Sequence, residues 1–221
     1  MTTDFVPSPG AAVYGVIMND RVSLARMGEA AAQPPYNGLP EAPVLYIKPR
    51  NTWARLGAEI ALPRGEARVE VGAVVGLRMG ADAARLTPET ALGRVDACLL
   101  AADLSLPHED YFRPAIRQKC FDGALPMVLL DGLAVNRLPD LVLRTRIDDR
   151  VVDERALSDL ILGPAQLLAA VSEFMTLRQG DVLLTGVVYR SPLAEAGSAV
   201  RIEASGLADL DFTLAAGEGA I

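Results

Sequence analysis

Short apolar runs, separated by turn-forming residues, recur along the whole chain and predict a fold that is rich in β-strands. The run from Leu141 to Ile147 partly alternates apolar with polar side chains, which is the period of a half-buried strand. Pro49 marks the end of an earlier run, because proline cannot donate a hydrogen bond to a neighbouring strand. The predicted strands are Val13–Met18, Val44–Ile47, Arg68–Leu77, Val95–Leu104, Leu141–Ile147 and Val182–Gly186, with further short strands between Ala199 and Leu214.

Two segments carry helix signals instead. Thr87 can cap a helix whose first residue is Pro88. From Gly163 to Met175, apolar residues recur at helical spacing and predict one buried face, formed by Leu167, Val171, Phe174 and Met175. No internal repeat or linker divides the chain. We therefore expect one α+β domain over residues 1–221, strand-rich with few helices, in which residues 1–12 form a flexible N-terminal segment.

Composition narrows the classes of partner. Hydrophobic residues make up 51% and charged residues 22%, as in ordinary soluble globular proteins. The net charge of −7 argues against a nucleic-acid or anionic-membrane surface, because both need clustered positive charge. No signal segment and no membrane-spanning apolar run is visible, so we expect a cytoplasmic location. All basic side chains are arginine except for two lysines, Lys48 and Lys119.

Polar residues at predicted strand ends are the candidates for chemistry. Lys48 and Arg50 follow a strand and could grip a carboxylate, although a solvated loop would have the same residues. Thr185 and Gly186 come at the end of the buried strand predicted from Val182, where a hydroxyl and a backbone N–H could hold a carboxylate oxygen. Taken separately, these signals are weak.

Two further segments carry charge. Asp103 ends an apolar strand, and burying it is costly unless it is paired or bound to a metal. His108, the only histidine, could act as a base or lie on the surface. The segment Arg113–Gly123 holds three cations, of which one is Lys119, and is suited to bind a dicarboxylate or keto acid; a solvated charge run is the other interpretation.

Together and in this order, these segments resemble the fumarylacetoacetate-hydrolase superfamily. Leu45–Thr52 resembles the family's "FIKPRNT" strand end, and Ala102–Pro107 its "NDVSLP" segment. Tyr111–Gly123 is similar to "YRPAIKxKCxDG", and Ser172–Gly186 to "S…TLxPGDxIxTGTP". The Tyr111–Gly123 block points to the branch that degrades 4-hydroxyphenylacetate. The chain as a whole, including Gly72–Leu77, resembles the amino-terminal half of the fused isomerase/decarboxylase of that branch.

The resemblance implies a mixed β-sandwich or β-roll and an enzyme subunit of the isomerase/decarboxylase type. Active members hold Mg²⁺ or Mn²⁺ between two glutamates and one or more aspartates, and this metal stabilises the enolate of a 2-oxo acid. In this branch the substrates are the triacid 5-oxopent-3-ene-1,2,5-tricarboxylate and the diacid 2-hydroxyhepta-2,4-diene-1,7-dioate. The resemblance also suggests a homodimer, or a heteromer with a paralogous subunit of the same fold.

Carried over residue by residue, the resemblance assigns several roles. Asp103 matches the aspartate metal ligand, and Lys119 matches the lysine that reaches the substrate. Substrate contacts fall on Lys48 and Thr185 at their strand ends, together with Arg50 and Gly186.

The metal-binding Glu-x-Glu pair has no clear match. If the strand that follows the pair ends at Gly76, Glu70 takes the second position and Arg68 the first. If it ends at Gly80, Gly72 and Val74 occupy both positions, which is the register we prefer. In either register at least one ligand is lost, and the remaining carboxylates make a poor Mg²⁺ site.

Other departures leave the mechanism open. The "NYxxHxxE" segment of hydrolytic members is absent, and the Thr-Gly-Thr-Pro end has become Thr185-Gly186-Val187-Val188. One hypothesis is an active isomerase/decarboxylase subunit. Another is a non-catalytic structural partner of a metal-bearing paralogue, and a third is a 2-oxo-acid decarboxylase or hydrolase of the wider superfamily.

Overall fold

A computed structural model of the chain describes residues 3–33, 38, 40–108 and 115–217. The strands are β1 (Thr3–Asp4), β2 (Val13–Ile17), β3 (Val44–Ile47), β4 (Trp53–Ala54), β5 (Glu59–Ala61), β6 (Arg68–Met79), β7 (Val95–Ser105), β8 (Leu125–Leu129), β9 (Val142–Ile147), β10 (Arg150–Ala156), β11 (Val182–Leu184), β12 (Leu193–Glu195), β13 (Ala199–Ala204) and β14 (Ala208–Ala215). The α-helices are α1 (Arg21–Met27), α2 (Pro88–Ala91), α3 (Ile116–Lys119) and α4 (Pro164–Ser172). Short 3-10 turns cover Gly28–Ala32, Arg50–Thr52, Leu92–Arg94, Val135–Asp140 and Leu157–Asp159.

Within the described residues, the strands form two mixed sheets. The larger sheet has nine strands and runs in the order β1-β8-β7-β6-β11-β2-β3, with β12 also paired to β6 and β4 to β8. The smaller sheet has five strands in the order β10-β9-β13-β14-β5. This arrangement confirms the strand-rich α+β class with few helices. No helix of the described ranges is long and apolar enough to cross a membrane.

The main core lies between the two sheets and under α4. Strands β13 and β14 of the small sheet contact β7 and β8 of the large one. Alternate residues of β6, such as Val75, point into this core together with Leu100 of β7 and Leu210 of β14. Val74 points to the other face of the large sheet and joins a second, smaller apolar cluster with Leu99. Because both of its faces are buried, β6 is apolar almost throughout rather than alternating.

The apolar runs located most strands well. Strands β2, β3, β7, β9 and β11 lie within one or two residues of their predicted bounds, and β6 extends two residues further than predicted. Thr87 is the N-cap of α2 and forms a capping box with Thr90. Helix α4, which was predicted to extend from Gly163 to Met175, is shorter than predicted and ends at Ser172.

One core prediction was wrong. Leu167 and Val171 of α4 are fully buried, but Phe174 is 64% exposed. The helix ends before Phe174, so the helical spacing no longer directs that side chain toward the core. The sequence patterns also gave no indication of α1, β8 or β10.

Candidate functional site

Lys48 lies directly after β3, and its side chain is fully buried. Its ammonium nitrogen donates to the carbonyl oxygens of Leu104 at 2.9 Å, Lys119 at 2.7 Å and Ala124 at 3.1 Å. It also lies 2.6 Å from Oδ1 of Asp103. Burial lowers the pKa of Lys48 to about 8, although Asp103 opposes this shift. The ammonium group therefore donates to three backbone carbonyls and forms an ion pair with Asp103 inside the protein, and its role in substrate contact stays a prediction.

Asp103 lies near the end of β7, and its carboxylate is fully buried. Oδ1 pairs with Lys48, while Oδ2 accepts hydrogen bonds from the Lys119 ammonium group at 3.2 Å and from the Tyr46 hydroxyl. Burial alone would raise the pKa of Asp103, but the two ammonium groups outweigh it and lower this pKa. We call the side chains of Tyr46, Lys48, Asp103 and Lys119 the Asp103 cluster.

Tyr46, on β3, is the member of the cluster that no sequence argument singled out. Burial raises its pKa well above the ordinary value, and the nearby Asp103 carboxylate adds to the shift. The Lys119 ammonium group lies over its ring, 4.6 Å from the centroid. Strand periodicity was the available signal, because Tyr46 and Lys48 are two residues apart and such residues share a face.

The pairing of β6 with β7 bears on the two possible registers of the glutamate pair. Gly72 lies directly opposite Asp103, and Glu70 lies opposite Ser105. Directly opposed residues point to the same face of a sheet, so a side chain at position 72 would adjoin the Asp103 carboxylate. A Cβ at Gly72 would lie 3.0 Å from a methyl carbon of Val187, which covers this position.

Glu70 is half-buried on the same face of β6 as Gly72. Burial raises its pKa, while the positive charges of Lys119, His108 and Arg190 act in the opposite direction. A half-buried carboxyl group with a raised pKa beside cations is a candidate for proton transfer.

Thr185 and Gly186 use their polar groups within the fold. Thr185 is fully buried, and both its amide and its hydroxyl donate to the carbonyl oxygen of Val75, at 2.9 and 3.0 Å. The Gly186 carbonyl accepts a hydrogen bond from Arg155 at 2.7 Å, and its φ of +125° suits glycine. The Asn19 side-chain amide also donates a hydrogen bond to the Thr185 carbonyl oxygen at 2.9 Å. Substrate contact by Thr185 or Gly186 stays a prediction.

The remaining candidates are more peripheral or fall outside the described residues. Arg50 is exposed at the start of a 3-10 turn. His108 Nδ1 lies 3.1 Å from the carbonyl oxygen of Leu106. Arg113 lies outside the described residues.

A second buried ion pair was also missed. Arg155 of β10 is 3% exposed and lies 2.7 Å from Oδ2 of Asp20, which is fully buried. The same guanidinium donates to the carbonyl of Ala73 at 3.1 Å as well as to that of Gly186. Asp20 and Arg155 are far apart in the sequence, so no local pattern pairs them.

The residues present do not fit a divalent cation. Within the described ranges, no group of three or more His, Cys, Asp or Glu side chains could hold a metal ion. A cation at Asp103 would lie against two ammonium groups, because each carboxylate oxygen already lies within 3.2 Å of a lysine ammonium nitrogen. Lys48 and Lys119 thus supply the positive charge that a metal would bring to this carboxylate.

The Asp103 cluster should make the fold sensitive to acid. The folded state keeps Asp103 ionised at pH values where the unfolded chain takes up a proton, so its contribution is full above the ordinary pKa of 3.8 and is lost as the pH falls through the lower folded value. Below about pH 4, we expect the free energy of unfolding to fall more steeply in the native protein than in Asp103→Asn. Denaturant titrations between neutral and acid pH measure the two slopes. The exposed Asp209→Asn variant is the control, and parallel curves for native protein and Asp103→Asn would contradict the prediction.

Comparisons with known proteins agree with the fold and the motifs. A family model described as "Fumarylacetoacetate (FAA) hydrolase C-terminal" matches residues 12–215. The chain is 41% identical over 199 residues to the 4-hydroxyphenylacetate degradation bifunctional isomerase/decarboxylase of Salmonella dublin, and 38% identical to that of Escherichia coli. These matches cover 90% of this chain but 46% of each relative, so the chain spans about half the length of the curated relatives it matches.

Solved structures share the fold at lower sequence identity. The 5-carboxymethyl-2-hydroxymuconate delta-isomerase of Mycobacterium smegmatis superimposes with a TM-score of 0.77 at 22% identity, covering 96% of this chain and 81% of that one. The fumarylpyruvate hydrolase of Pseudomonas aeruginosa, solved in complex with Mn²⁺ and pyruvate, has a TM-score of 0.79 at 19% identity, covering 96% and 98%. The motifs, the family match over most of the chain and the shared fold together show that this chain belongs to the fumarylacetoacetate hydrolase family.

Proposed function

We propose that this chain is the metal-free subunit of an isomerase/decarboxylase that acts on unsaturated 2-oxo and 2-hydroxy acids with two or three carboxylates. The relatives that share 37–41% of its residues are named for 4-hydroxyphenylacetate or homoprotocatechuate degradation. The substrates we propose are 2-hydroxyhepta-2,4-diene-1,7-dioate and 5-oxopent-3-ene-1,2,5-tricarboxylate. We also propose a cytoplasmic location for the enzyme.

The single observation that carries the metal-free assignment is that the buried Asp103 carboxylate is already paired with two lysines. Both reactions pass through a dienolate, whose negative charge needs a cationic group beside it. Here the two candidate cations, Lys48 and Lys119, are already paired with Asp103, and Val187 covers Gly72 where a second carboxylate would be needed. We therefore expect a partner chain of the same fold to supply the intact metal site, either as a heteromer or as the other half of a fused enzyme.

A second candidate is metal-independent catalysis by this chain alone. It is favoured by Glu70, whose raised pKa suits proton transfer, and by the 13% exposure of the Lys119 side chain beside it. Isomerisation of the hydroxydiene requires loss of the enol proton and delivery of a proton to a carbon of the diene, which one carboxyl group could perform in turn.

The experiment compares the purified chain with its complex with a family member that keeps Glu-x-Glu. Turnover of 2-hydroxyhepta-2,4-diene-1,7-dioate is followed by the loss of diene absorbance, with Mg²⁺, with Mn²⁺ and with a chelator. We expect no turnover by this chain alone in any condition, and metal-dependent turnover by the complex that exceeds the partner's own rate.

The other outcomes separate the alternatives. Turnover by this chain that survives the chelator would favour the metal-independent candidate, and Glu70→Gln should then abolish it. Turnover that needs Mg²⁺ or Mn²⁺ and is lost in Asp103→Ala, but not in the exposed control Asp209→Ala, would show a working metal site and overturn the proposal.

A further inference from the structure

The ring of Tyr46 occupies space that exists because residue 15 is glycine. Gly15 of β2 lies directly opposite Tyr46 of β3 in the large sheet. A Cβ at Gly15 would lie 2.5 Å from Cε1 of the ring and closer still to Cζ and the hydroxyl oxygen. Since real Cβ atoms do not approach other heavy atoms this closely, an alanine here would displace the ring.

The Lys119 ammonium group depends on this ring for its position. Lys119 is the last residue of the four-residue helix α3, and its side chain is long and flexible. Within the part of the chain that the structure describes, its ammonium nitrogen lies 3.2 Å from Oδ2 of Asp103 and 4.6 Å from the centroid of the Tyr46 ring. The ring attracts the cation through its negative face, while the Tyr46 hydroxyl binds the same carboxylate oxygen as Lys119.

Lys48 is anchored differently. Three backbone carbonyls and Oδ1 of Asp103 hold its ammonium group, and none of these acceptors belongs to Tyr46. A change at Tyr46 should therefore affect one lysine of the cluster and spare the other.

We propose that Tyr46 is a positioning residue that holds the Lys119 ammonium group at Asp103, and that Gly15 is required because it leaves room for the Tyr46 ring. This inference concerns the geometry of the Asp103 cluster and does not depend on the proposed function. It assigns a role to two residues, Gly15 and Tyr46, that carry no part of the family's metal chemistry.

The test uses the fact that the chain contains two lysines. Protein labelled with ¹⁵N-lysine has two side-chain ammonium signals, and loss of one signal in Lys119→Arg assigns both. In Tyr46→Leu, we expect the exchange of the Lys119 ammonium protons with water to become about tenfold faster, equivalent to about 1.4 kcal/mol of lost contact energy. Tyr46→Phe keeps the ring and should show a smaller increase.

Gly15→Ala should reproduce the effect of Tyr46→Leu even though Tyr46 is unchanged, and combining the two substitutions should add little. Gly93→Ala is the matched control, because a Cβ at Gly93 would meet no atom within 4 Å. The Lys48 signal reports that the cluster is folded. An unchanged Lys119 exchange rate in Tyr46→Leu or in Gly15→Ala, with the Lys48 signal intact, would overturn the proposal. If Tyr46→Leu also changes the Lys48 signal, the milder variant Tyr46→Phe becomes the test. Equal changes in the exchange rates of Lys48 and Lys119 in Tyr46→Phe would also overturn the proposal.

Discussion

Replacing Lys48 with methionine should lower the free energy of unfolding by about 3–5 kcal/mol, the cost of breaking a buried ion pair by removing one partner. Methionine fills similar space but removes the ammonium donor from three backbone carbonyls, of which that of Ala124 still accepts from the Leu104 amide. It also leaves Oδ1 of Asp103 without its cation in a fully buried position. Denaturant unfolding of the native protein and the variant at neutral pH measures the difference.

Two comparisons separate this effect from a general sensitivity of the segment. Arg50 lies two residues after Lys48, and its side chain is exposed. Arg50→Met should therefore change the free energy of unfolding by no more than about 0.5 kcal/mol. Adding Asp103→Asn to Lys48→Met removes the unpaired charge and should recover part of the loss. A loss below about 1 kcal/mol for Lys48→Met would show that the buried ammonium group is no more important than a surface ion pair.

The strands were predictable from the sequence because their apolar runs are bounded by turn residues, and β2, β3, β7 and β11 show this directly. Strand β10 was not predictable, because it reads Arg-Val-Val-Asp-Glu-Arg-Ala and lies at the edge of the small sheet with most of its side chains exposed. Its strand conformation comes from pairing with β9 rather than from an apolar face. Helix α1 is held partly by its Asp20 cap, whose side chain accepts from the Ser23 amide.

The candidate site was predictable in its membership more than in its chemistry. The sequence indicated that Asp103, buried at a strand end, must be paired or bound to a metal. The structure shows the pairing, with Lys48 and Lys119. What local patterns could not show is that the acceptors of Lys48 come from three separate parts of the chain, since that depends on the tertiary fold.

The interpretation of the Glu-x-Glu gap likewise depended on strand pairing. Periodicity places Glu70, Gly72 and Val74 on one face of β6, and both proposed registers use that face. Strand pairing adds that Gly72 is the one of these residues that lies opposite Asp103. The position directly opposite the aspartate thus has no side chain, and the choice between the two registers stays a prediction.

Replacing Arg155 with methionine should also lower the free energy of unfolding by about 3–5 kcal/mol. Arg155 joins β10 of the small sheet to three parts of the structure around the large sheet: the Asp20 cap of α1, the Ala73 carbonyl in β6 and the Gly186 carbonyl after β11. Burial lowers the pKa of its guanidinium group, and Asp20 counteracts that shift. Without Arg155, Asp20 would retain a fully buried negative charge with no cation, and the two carbonyls would lose their donor. Thermal or denaturant unfolding at neutral pH checks the prediction.

The origin of this loss can be tested through Asp20. Asparagine caps a helix as well as aspartate does, so Asp20→Asn should preserve the bond to the Ser23 amide while removing the charge. If the buried charge causes most of the destabilisation, the Arg155→Met/Asp20→Asn double variant should be more stable than Arg155→Met alone. The exposed Arg150→Met, on the same strand, should change the stability by no more than about 0.5 kcal/mol. A double variant no more stable than Arg155→Met would instead assign the loss to the unpaired carbonyls of Ala73 and Gly186, and would make the support of the chain after β11 the main role of Arg155.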